Sequence, residues 1–457
     1  MLTIACAGQF MVVLDVSVVN VALPSIRRGL HFDPAGLQWV VNAYALTFAG
    51  FLLLGGRLAD LYGRKRVFLT GLALFAAASL GGGLASTAGM LVAARAVQGV
   101  GAAVLAPATL TILTTVFTEP AARARALGTW TAMGAAGGAT GGLIGGTLTE
   151  YLSWRWILLI NVPVGAVAIA LAAVFLTERV RSSDDGPARL DVPGALLATI
   201  GLAGLTYGIV QTQVRGWGAA GTLVPLAGGA AVLAAFVATE ARMARAPLMP
   251  PRLFRSRAVS AGNLVMLLLG AAFITMWYFL SLYLQNVKHY GALRTGFAFT
   301  PHTVMIVAGA RLAPRLLPRF GARPMIIAGA VAAAAGFAWQ SRIGPHTPYL
   351  PGVFGPALLM CGGLGLMMTP VATTVTSGAR PGDAGVVSGL MNAARQVGGS
   401  LGLAVLATLA GRHTGSPANL ATGYGQAFLG SAAILVAVIP VAAALPARRR
   451  PTGADTA

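Results

Sequence analysis

A single acidic residue interrupts the first apolar run of the chain. Asp15 lies in the segment L-D-V-S-V-V-N-V-A-L-P, residues 14–24, and no other acid lies deep in an apolar run. A charge at the centre of a membrane-spanning helix costs about 2.5–3.5 kcal/mol, so such residues face a cavity or a partner and mark ion or proton pathways. We therefore predict that Asp15 exchanges a proton. The alternative is a structural acid that is permanently hydrogen-bonded.

The fourth apolar run contains a cation. Arg95 lies in the segment L-V-A-A-R-A-V-Q-G, residues 91–99. Opposite charges interact strongly in a medium of low dielectric constant, so we predict that Arg95 biases Asp15 electrostatically and that binding of substrate or proton changes this coupling. Arg95 is nearer the outer end of its helix, and the alternative is that its side chain extends to the lipid headgroups.

The composition indicates what kind of protein positions these charges. The chain has 457 residues, of which 56% are hydrophobic and 10% are charged, and its mean hydropathy is +0.76. A soluble protein of this length needs more polar surface, so the sequence predicts an all-α polytopic membrane protein. The net charge of +20 comes from cations scattered between apolar runs, which excludes a nucleic-acid-binding domain.

Fourteen apolar runs of about 20 residues predict fourteen transmembrane helices. The loops on one side carry more than twice as many arginines and lysines as those on the other, which predicts that both termini are cytoplasmic. The predicted spans are residues 3–24, 37–57, 67–86, 91–117, 124–147, 157–177, 191–211, 219–240, 258–284, 295–316, 322–341, 350–376, 384–411 and 425–445.

The link between the second and third spans is short, basic and repeated. It reads G-R-L-A-D-L-Y-G-R-K-R, residues 56–66, and its cations predict a cytoplasmic position. A similar segment, L-L-P-R-F-G-A-R at residues 316–323, has Pro318 in the position of Asp60. Two copies eight spans apart predict two six-helix halves with two inserted helices between them. The predicted division is 1–178, 179–257 and 258–457.

These segments resemble motifs of the major facilitator superfamily. The basic link resembles the signature between the second and third spans of that family, which implies a charge network that locks one state of the transport cycle. The residues so implied are Gly56, Asp60, Gly63, Arg64 and Arg66. The segment around Asp15 resembles the first-span signature of drug:proton antiporters. The segment around Arg95 resembles the fourth-span motif whose arginine is linked to proton transfer.

The fifth span is rich in glycine and resembles the antiporter motif g-x8-G-x3-G-P-x2-G-G. A glycine replaces the proline of that motif, which implies a weaker kink. Glycines at this spacing also allow a neighbouring helix to pack closely. Helix packing alone is therefore the alternative explanation, and it is compatible both with antiport and with its absence. The matching residues are Gly128, Gly137, Gly141, Gly142, Gly145 and Gly146.

Polar and aromatic residues on several spans are candidates to line a substrate cavity, although simple helix packing is the alternative for each aromatic residue. The candidates are Asn20, Tyr44, Gln98, Trp130, Asn161, Trp277, Tyr278, Asn392, Arg395 and Gln396. Because Asp15 is the one acid deep in a span, we expect a neutral to positive cavity. Neutral, zwitterionic or anionic amphiphiles suit such a cavity better than dications.

The chain is thus identified as a member of the fourteen-span drug:proton antiporters of the major facilitator superfamily, the EmrB/QacA type. The resemblance implies efflux of amphiphilic drugs or antibiotics across the cytoplasmic membrane by alternating access. It also implies a monomer that is driven by the proton gradient and needs no cofactor. The alternatives are an exporter of one metabolite or natural product, a symporter, and a membrane scaffold or sensor that transports nothing.

Several other classes of function lack their motifs in this sequence. It contains no Walker A loop and no H-E-x-x-H zinc site. Cys6 and Cys361 both lie in apolar runs, so no disulfide framework is expected. The sequence therefore predicts a transporter that is not an enzyme and holds no metal.

Overall fold

A computed structural model of the chain describes residues 1–117, 119–176, 191–242, 251–377 and 384–445. Most of these residues are helical, because an apolar segment away from water can satisfy its backbone N–H and C=O groups within a helix. Fourteen described helices have 15 to 32 residues, and each coincides with one predicted span. They are α1 Leu2–Leu30, α2 Trp39–Tyr62, α3 Arg64–Gly83, α4 Ala88–Val116, α5 Pro120–Tyr151, α6 Asn161–Phe175, α7 Val192–Arg215, α8 Ala220–Arg242, α9 Arg257–Leu282, α10 Ala292–Phe320, α11 Ala322–Gln340, α12 Gly355–Ser377, α13 Ala384–Ala410 and α14 Pro417–Ala443.

Twelve of the described helices are both long and apolar enough to cross a membrane. The other two long helices, α5 and α10, have 32 and 29 residues but a more polar composition. At 1.5 Å per residue, each exceeds the hydrocarbon thickness of about 30 Å. α5 packs against α1 and α10, and α10 also packs against α12. The chain is therefore a multi-pass membrane protein. The structure is compatible with fourteen spans, and that number stays a prediction.

The two copies of the repeated link have the same turn. α2 is joined to α3 by Gly63, whose φ is 87°, and α10 is joined to α11 by Gly321, whose φ is 81°. Side chains are strained at such φ values, so glycine lets the chain reverse between two helices through one residue. The repeat predicted from segments 58–65 and 316–323 thus has one backbone geometry in both copies.

α7 and α8 form a hairpin beside the other helices. They approach each other closely where Gly204 faces Gly229. α7 also packs against α2 and α13, and the Thr408 hydroxyl donates to the Ile209 carbonyl at 3.2 Å. This position agrees with a pair inserted between two halves. The division at residues 178 and 257 stays a prediction, and residues 177–190 and 243–250 lie outside the described ranges.

The first six and the last six helices meet at the end of the bundle opposite both termini, which we call the distal end. There the Ser281 hydroxyl donates to the Asn20 carbonyl at 2.5 Å, and the Gln285 amide donates to the Val21 carbonyl at 2.7 Å. One apolar core runs through this end from α1 to α9. The distal end is therefore closed.

Candidate functional site

Asp15 lies inside the first six helices with an exposed fraction of 0%. Its Oδ2 accepts a hydrogen bond from Nη1 of Arg95 at 2.6 Å, which makes an ion pair between α1 and α4. Its Oδ1 accepts from Nε2 of Gln98 at 2.8 Å and from Nδ2 of Asn161 at 3.0 Å. Donors therefore hold both oxygens, an arrangement suited to a charged carboxylate.

The Arg95 guanidinium is enclosed by protein, with an exposed fraction of 2%. Its Nε donates to the Val40 carbonyl at 3.0 Å, and its Nη1 also donates to Oε1 of Gln98 at 2.6 Å. Its central carbon lies 4.4 Å from the centre of the Tyr44 ring, a cation–π geometry. In this conformation Arg95 does not extend to lipid headgroups, and its charge is directed at Asp15.

Ser79 of α3 belongs to the same cluster, and sequence reasoning missed it. Its hydroxyl accepts from Gln98 at 3.1 Å and from Asn161 at 3.0 Å, and it donates to the Leu158 carbonyl at 2.9 Å. In the run F-A-A-A-S-L-G-G-G, nothing distinguishes this serine from one that packs between helices. Its role depends on partners 19 and 82 positions away, which the local sequence does not reveal.

Four helices contribute to this buried polar cluster, which we define as Asp15, Ser79, Arg95, Gln98 and Asn161. A buried ion pair is stable only when hydrogen bonds satisfy its remaining atoms, and the partners above do so. A proton added to Asp15 would leave Arg95 as an uncompensated charge. Protonation of Asp15 would therefore require other partners for Arg95, and these partners would have to come from a rearrangement of the cluster.

Eight of the ten predicted cavity residues lie outside this cluster, and one of them, Tyr44, packs against Arg95. Asn20 donates within its own helix, and Nε1 of Trp130 donates to the Thr109 hydroxyl at 3.1 Å. Tyr278 is 2% exposed and packs edge-on against Phe279. A role of these residues in a cavity stays a prediction.

Four more of the predicted cavity residues lie, like Tyr278, in the last six helices. On α13, Asn392 and Arg395 are half-buried and Gln396 is 9% exposed. On α9, Trp277 is half-buried, and its ring centre lies 5.1 Å from that of Phe299 on α10. The structure thus does not bring these residues to Asp15, and they form a second candidate region in the other half.

The link predicted to lock one conformation is described in part. The side chain of Asp60 lies outside the described residues, whereas Arg64 is half-buried and Arg66 is exposed. Gly63 forms the turn between α2 and α3, and a Cβ atom on Gly56 would meet α4 at 3.9 Å. The locking role of these residues stays a prediction.

The glycines of the predicted antiporter motif pack α5 between α1 and α10. Gly128 lies in α5, and its surroundings are outside the description. The glycines that face α1 are Gly137, Gly141 and Gly145, and those that face α10 are Gly142 and Gly146. Through these contacts, α5 connects the helix that carries Asp15 to a helix of the other half. The link of this motif to antiport stays a prediction.

Comparison with known proteins agrees with the motifs. The family model of the Major Facilitator Superfamily matches residues 5–403. The chain is 54% identical over 453 residues to the cephamycin export protein CmcT of Amycolatopsis lactamdurans, which covers 99% of this chain and 93% of that protein. It is 41% identical over 455 residues to the puromycin resistance protein pur8 of Streptomyces alboniger, which covers 97% of this chain and 90% of that protein.

Solved structures show the same fold. A mutant of the nucleoside transporter NupG superimposes with a TM-score of 0.67 at 14% identity, over 96% of this chain and 99% of that chain. At this identity the likeness concerns the fold alone. The family match covers most of the chain, and the predicted family is confirmed. The chain is a membrane transporter that belongs to the Major Facilitator Superfamily.

Proposed function

We propose that this chain exports amphiphilic antibiotics in exchange for protons. The observation that carries the proposal is the buried polar cluster, in which Asp15 and Arg95 pair at 2.6 Å with exposed fractions of 0% and 2%. An ionisable pair at this depth of a membrane protein marks a proton or substrate pathway. The relatives named for cephamycin export and puromycin resistance support an antibiotic as cargo.

The cluster supplies a mechanism for coupling. While Asp15 is charged, its hydrogen bonds hold α1, α4 and α6 together. A proton taken up by the carboxylate removes that charge, so Arg95 and Gln98 need other partners and the helices favour another packing. Export follows when proton and cargo are taken up in conformations that open to opposite sides of the membrane.

The proton gradient is the driving force in this proposal, and the chain needs no cofactor. Moving one charge through about 100 mV supplies about 2.3 kcal/mol. Because 1.4 kcal/mol corresponds to a factor of ten, one proton per cycle sustains a concentration ratio of about fiftyfold.

In this proposal, the chain is a monomer in the cytoplasmic membrane with both termini in the cytoplasm. The excess of arginine and lysine in the loops on the side of the termini supports this orientation. The distal end is then the outer end, so the structure corresponds to a state that is closed to the outside.

A narrower function is the second candidate. The 54% identity to a cephamycin export protein over nearly all of both chains favours one natural product, or a few related ones, as the cargo. Both candidates use the buried polar cluster in the same way. They differ in how many unrelated compounds drive proton movement.

The test measures drug-driven proton release from acidified inside-out vesicles. Wild type should respond to several unrelated amphiphiles, and Asp15→Asn should not, because the amide does not take up a proton. Asp33→Asn is the matched control, since Asp33 is exposed and caps a short helix at the distal end. This control should respond like wild type.

Each outcome separates the candidates. Equal responses of wild type and Asp15→Asn would overturn the coupling role of Asp15. A wild type that responds to cephamycins alone would favour the narrower function. A wild type that responds to no amphiphile would refute proton-coupled export of this class of compound.

A further inference from the structure

Arg395 is a cation in the middle of α13 that has no carboxylate partner among the side chains that the structure describes. It lies eleven residues after Ala384, about 17 Å along the helix, and its side chain is half-buried. No acid there forms an ion pair with it, and Asp15 is already paired with Arg95. The other acids whose side chains the structure describes lie in loops or near helix ends and are Asp33, Glu119, Glu150, Asp191 and Glu240.

Arg95 shows how this fold neutralises a cation that belongs to the protein itself. That guanidinium is buried against a carboxylate, an amide oxygen and a backbone carbonyl. Arg395 lacks such a set of partners in the part of the chain that the structure describes. A guanidinium at mid-depth is costly unless an anion compensates its charge, so Arg395 is suited to a negative group that arrives from outside the protein.

Close packing of α13 against α9 fixes the position of Arg395. A Cβ atom added to Gly270 would overlap the carbonyl oxygen of Arg395, and one added to Gly399 would overlap the side chain of Ile274. Glycine at these two positions therefore lets the backbones approach directly. The backbone of α13 at Arg395 is therefore in direct contact with α9.

α9 presents aromatic rings beyond this contact toward the distal end. Phe273 and Trp277 are half-buried, and their ring centres lie 6.3 Å apart in an edge-to-face arrangement. Trp277 follows Gly270 by seven residues, which is about 10 Å along a helix. A cation and an apolar aromatic surface thus lie within the length of one drug-sized molecule.

We propose that Arg395 binds a carboxylate of the exported compound, while the rings of Phe273 and Trp277 contact its apolar part. This inference rests on the proposed function and names the class of cargo, amphiphiles that carry a carboxylate. The anion site lies in the last six helices and the proton site at Asp15 in the first six. Cargo and proton therefore occupy separate places and communicate through the movement of the two halves.

The experiment compares binding of cefoxitin and of its methyl ester to the purified full chain by isothermal titration calorimetry. The ester is the same amphiphile without the negative charge. Wild type should bind the carboxylate at least about tenfold more tightly, as expected for a charge-assisted hydrogen bond away from water. Arg395→Gln should bind both compounds with the affinity of the ester. Arg395→Lys should retain part of the preference.

Arg412→Gln is the matched control, because Arg412 is exposed in the loop after α13. It should keep the full preference for the carboxylate. Unchanged affinity of Arg395→Gln for the ester would show that this variant is folded.

Three results would overturn the inference. One is an Arg395→Gln protein that keeps the wild-type preference, and another is a wild type that binds the two compounds equally or binds neither. The third is loss of ester binding in both Arg395→Gln and Arg395→Lys, which would indicate a structural role. A wild type without proton release for any amphiphile would refute the proposed function instead, so the two failures are distinguishable.

Discussion

Two of the glutamines that lie fully inside the protein differ in their hydrogen bonds. Gln98 is 1% exposed, donates to Asp15 and Ser79 and accepts from Arg95. Gln340, the last residue of α11, is 0% exposed, and neither its amide oxygen nor its nitrogen has a partner among the described residues. A buried polar group without a partner costs about 1–3 kcal/mol, so the two side chains should contribute to stability with opposite sign.

We predict that Gln98→Leu lowers the free energy of unfolding by about 1–3 kcal/mol, because it leaves Arg95 and Ser79 with fewer partners in the interior. Gln340→Leu should leave stability unchanged or raise it. Thermal unfolding in detergent, followed by size-exclusion chromatography, measures both changes. A Gln98→Leu protein as stable as Gln340→Leu would show that the buried polar cluster does not depend on this amide.

At the scale of helices, α5 touches α10 through two glycines with different amounts of space. A Cβ atom on Gly142 would lie 3.4 Å from the Gly296 carbonyl oxygen, an ordinary contact. A Cβ atom on Gly146 would lie 2.7 Å from the Ala292 carbonyl oxygen, which is too close for a backbone atom. An added methyl group would therefore push α5 away from α10 at Gly146, whereas the space at Gly142 accommodates it.

We predict that Gly146→Ala forces α5 and α10 apart at the distal end and lowers stability by about 1–3 kcal/mol, the usual effect of an extra methyl in a tight contact. Gly142→Ala is the matched control and should behave like wild type. Thermal unfolding measures the loss of stability, and drug-driven proton release measures the effect on transport. Equal losses in both variants would contradict the difference in spacing.

Helix positions could be predicted from this sequence because each membrane span must be a long apolar run. α5 and α10 have the more polar composition, but the apolar runs at residues 124–147 and 295–316 predict them as well. The hairpin α7–α8 was predicted as an inserted pair. Its contacts with α2 and α13 could not be predicted, because they join segments far apart in the chain.

The site could be predicted only where a residue is unusual for its surroundings. Asp15 and Arg95 stand out as charges in apolar runs, and the structure joins them directly. Ser79 does not stand out, and neither does His302, which is 0% exposed in α10 with its ring centre 6.1 Å from that of Trp277. For a residue such as Ser79, tertiary contacts decide the role, and single-sequence patterns do not contain them.

At the scale of the whole molecule, a cleft of about 390 Å³ lies between the halves at the distal end. Its lining includes Arg28, Glu150, Asn286 and His289. The Glu150 carboxylate at the end of α5 accepts a hydrogen bond from the backbone N–H of Ala292 at 2.8 Å. Ala292 is the first residue of α10, so an acid of one half caps a helix of the other, where the helix dipole favours negative charge.

We predict that Glu150→Ala opens the distal end more often. Loss of a helix cap costs about 1 kcal/mol, which raises the open fraction by about fivefold. Glu150→Gln is the matched control, because its amide oxygen can accept the same bond, and it should stay close to wild type. The measurement is the rate at which an impermeant maleimide labels Ser25→Cys, a half-buried position in the cleft.

The two native cysteines, Cys6 and Cys361, are buried and should add little labelling. If Ser25→Cys is labelled at the same rate whether residue 150 is Glu or Ala, the apolar core alone keeps the distal end closed. A faster rate in Glu150→Ala but not in Glu150→Gln would identify this bond as one that must break in each transport cycle. Its loss should then shift the balance between the two conformations without touching Asp15 or Arg395.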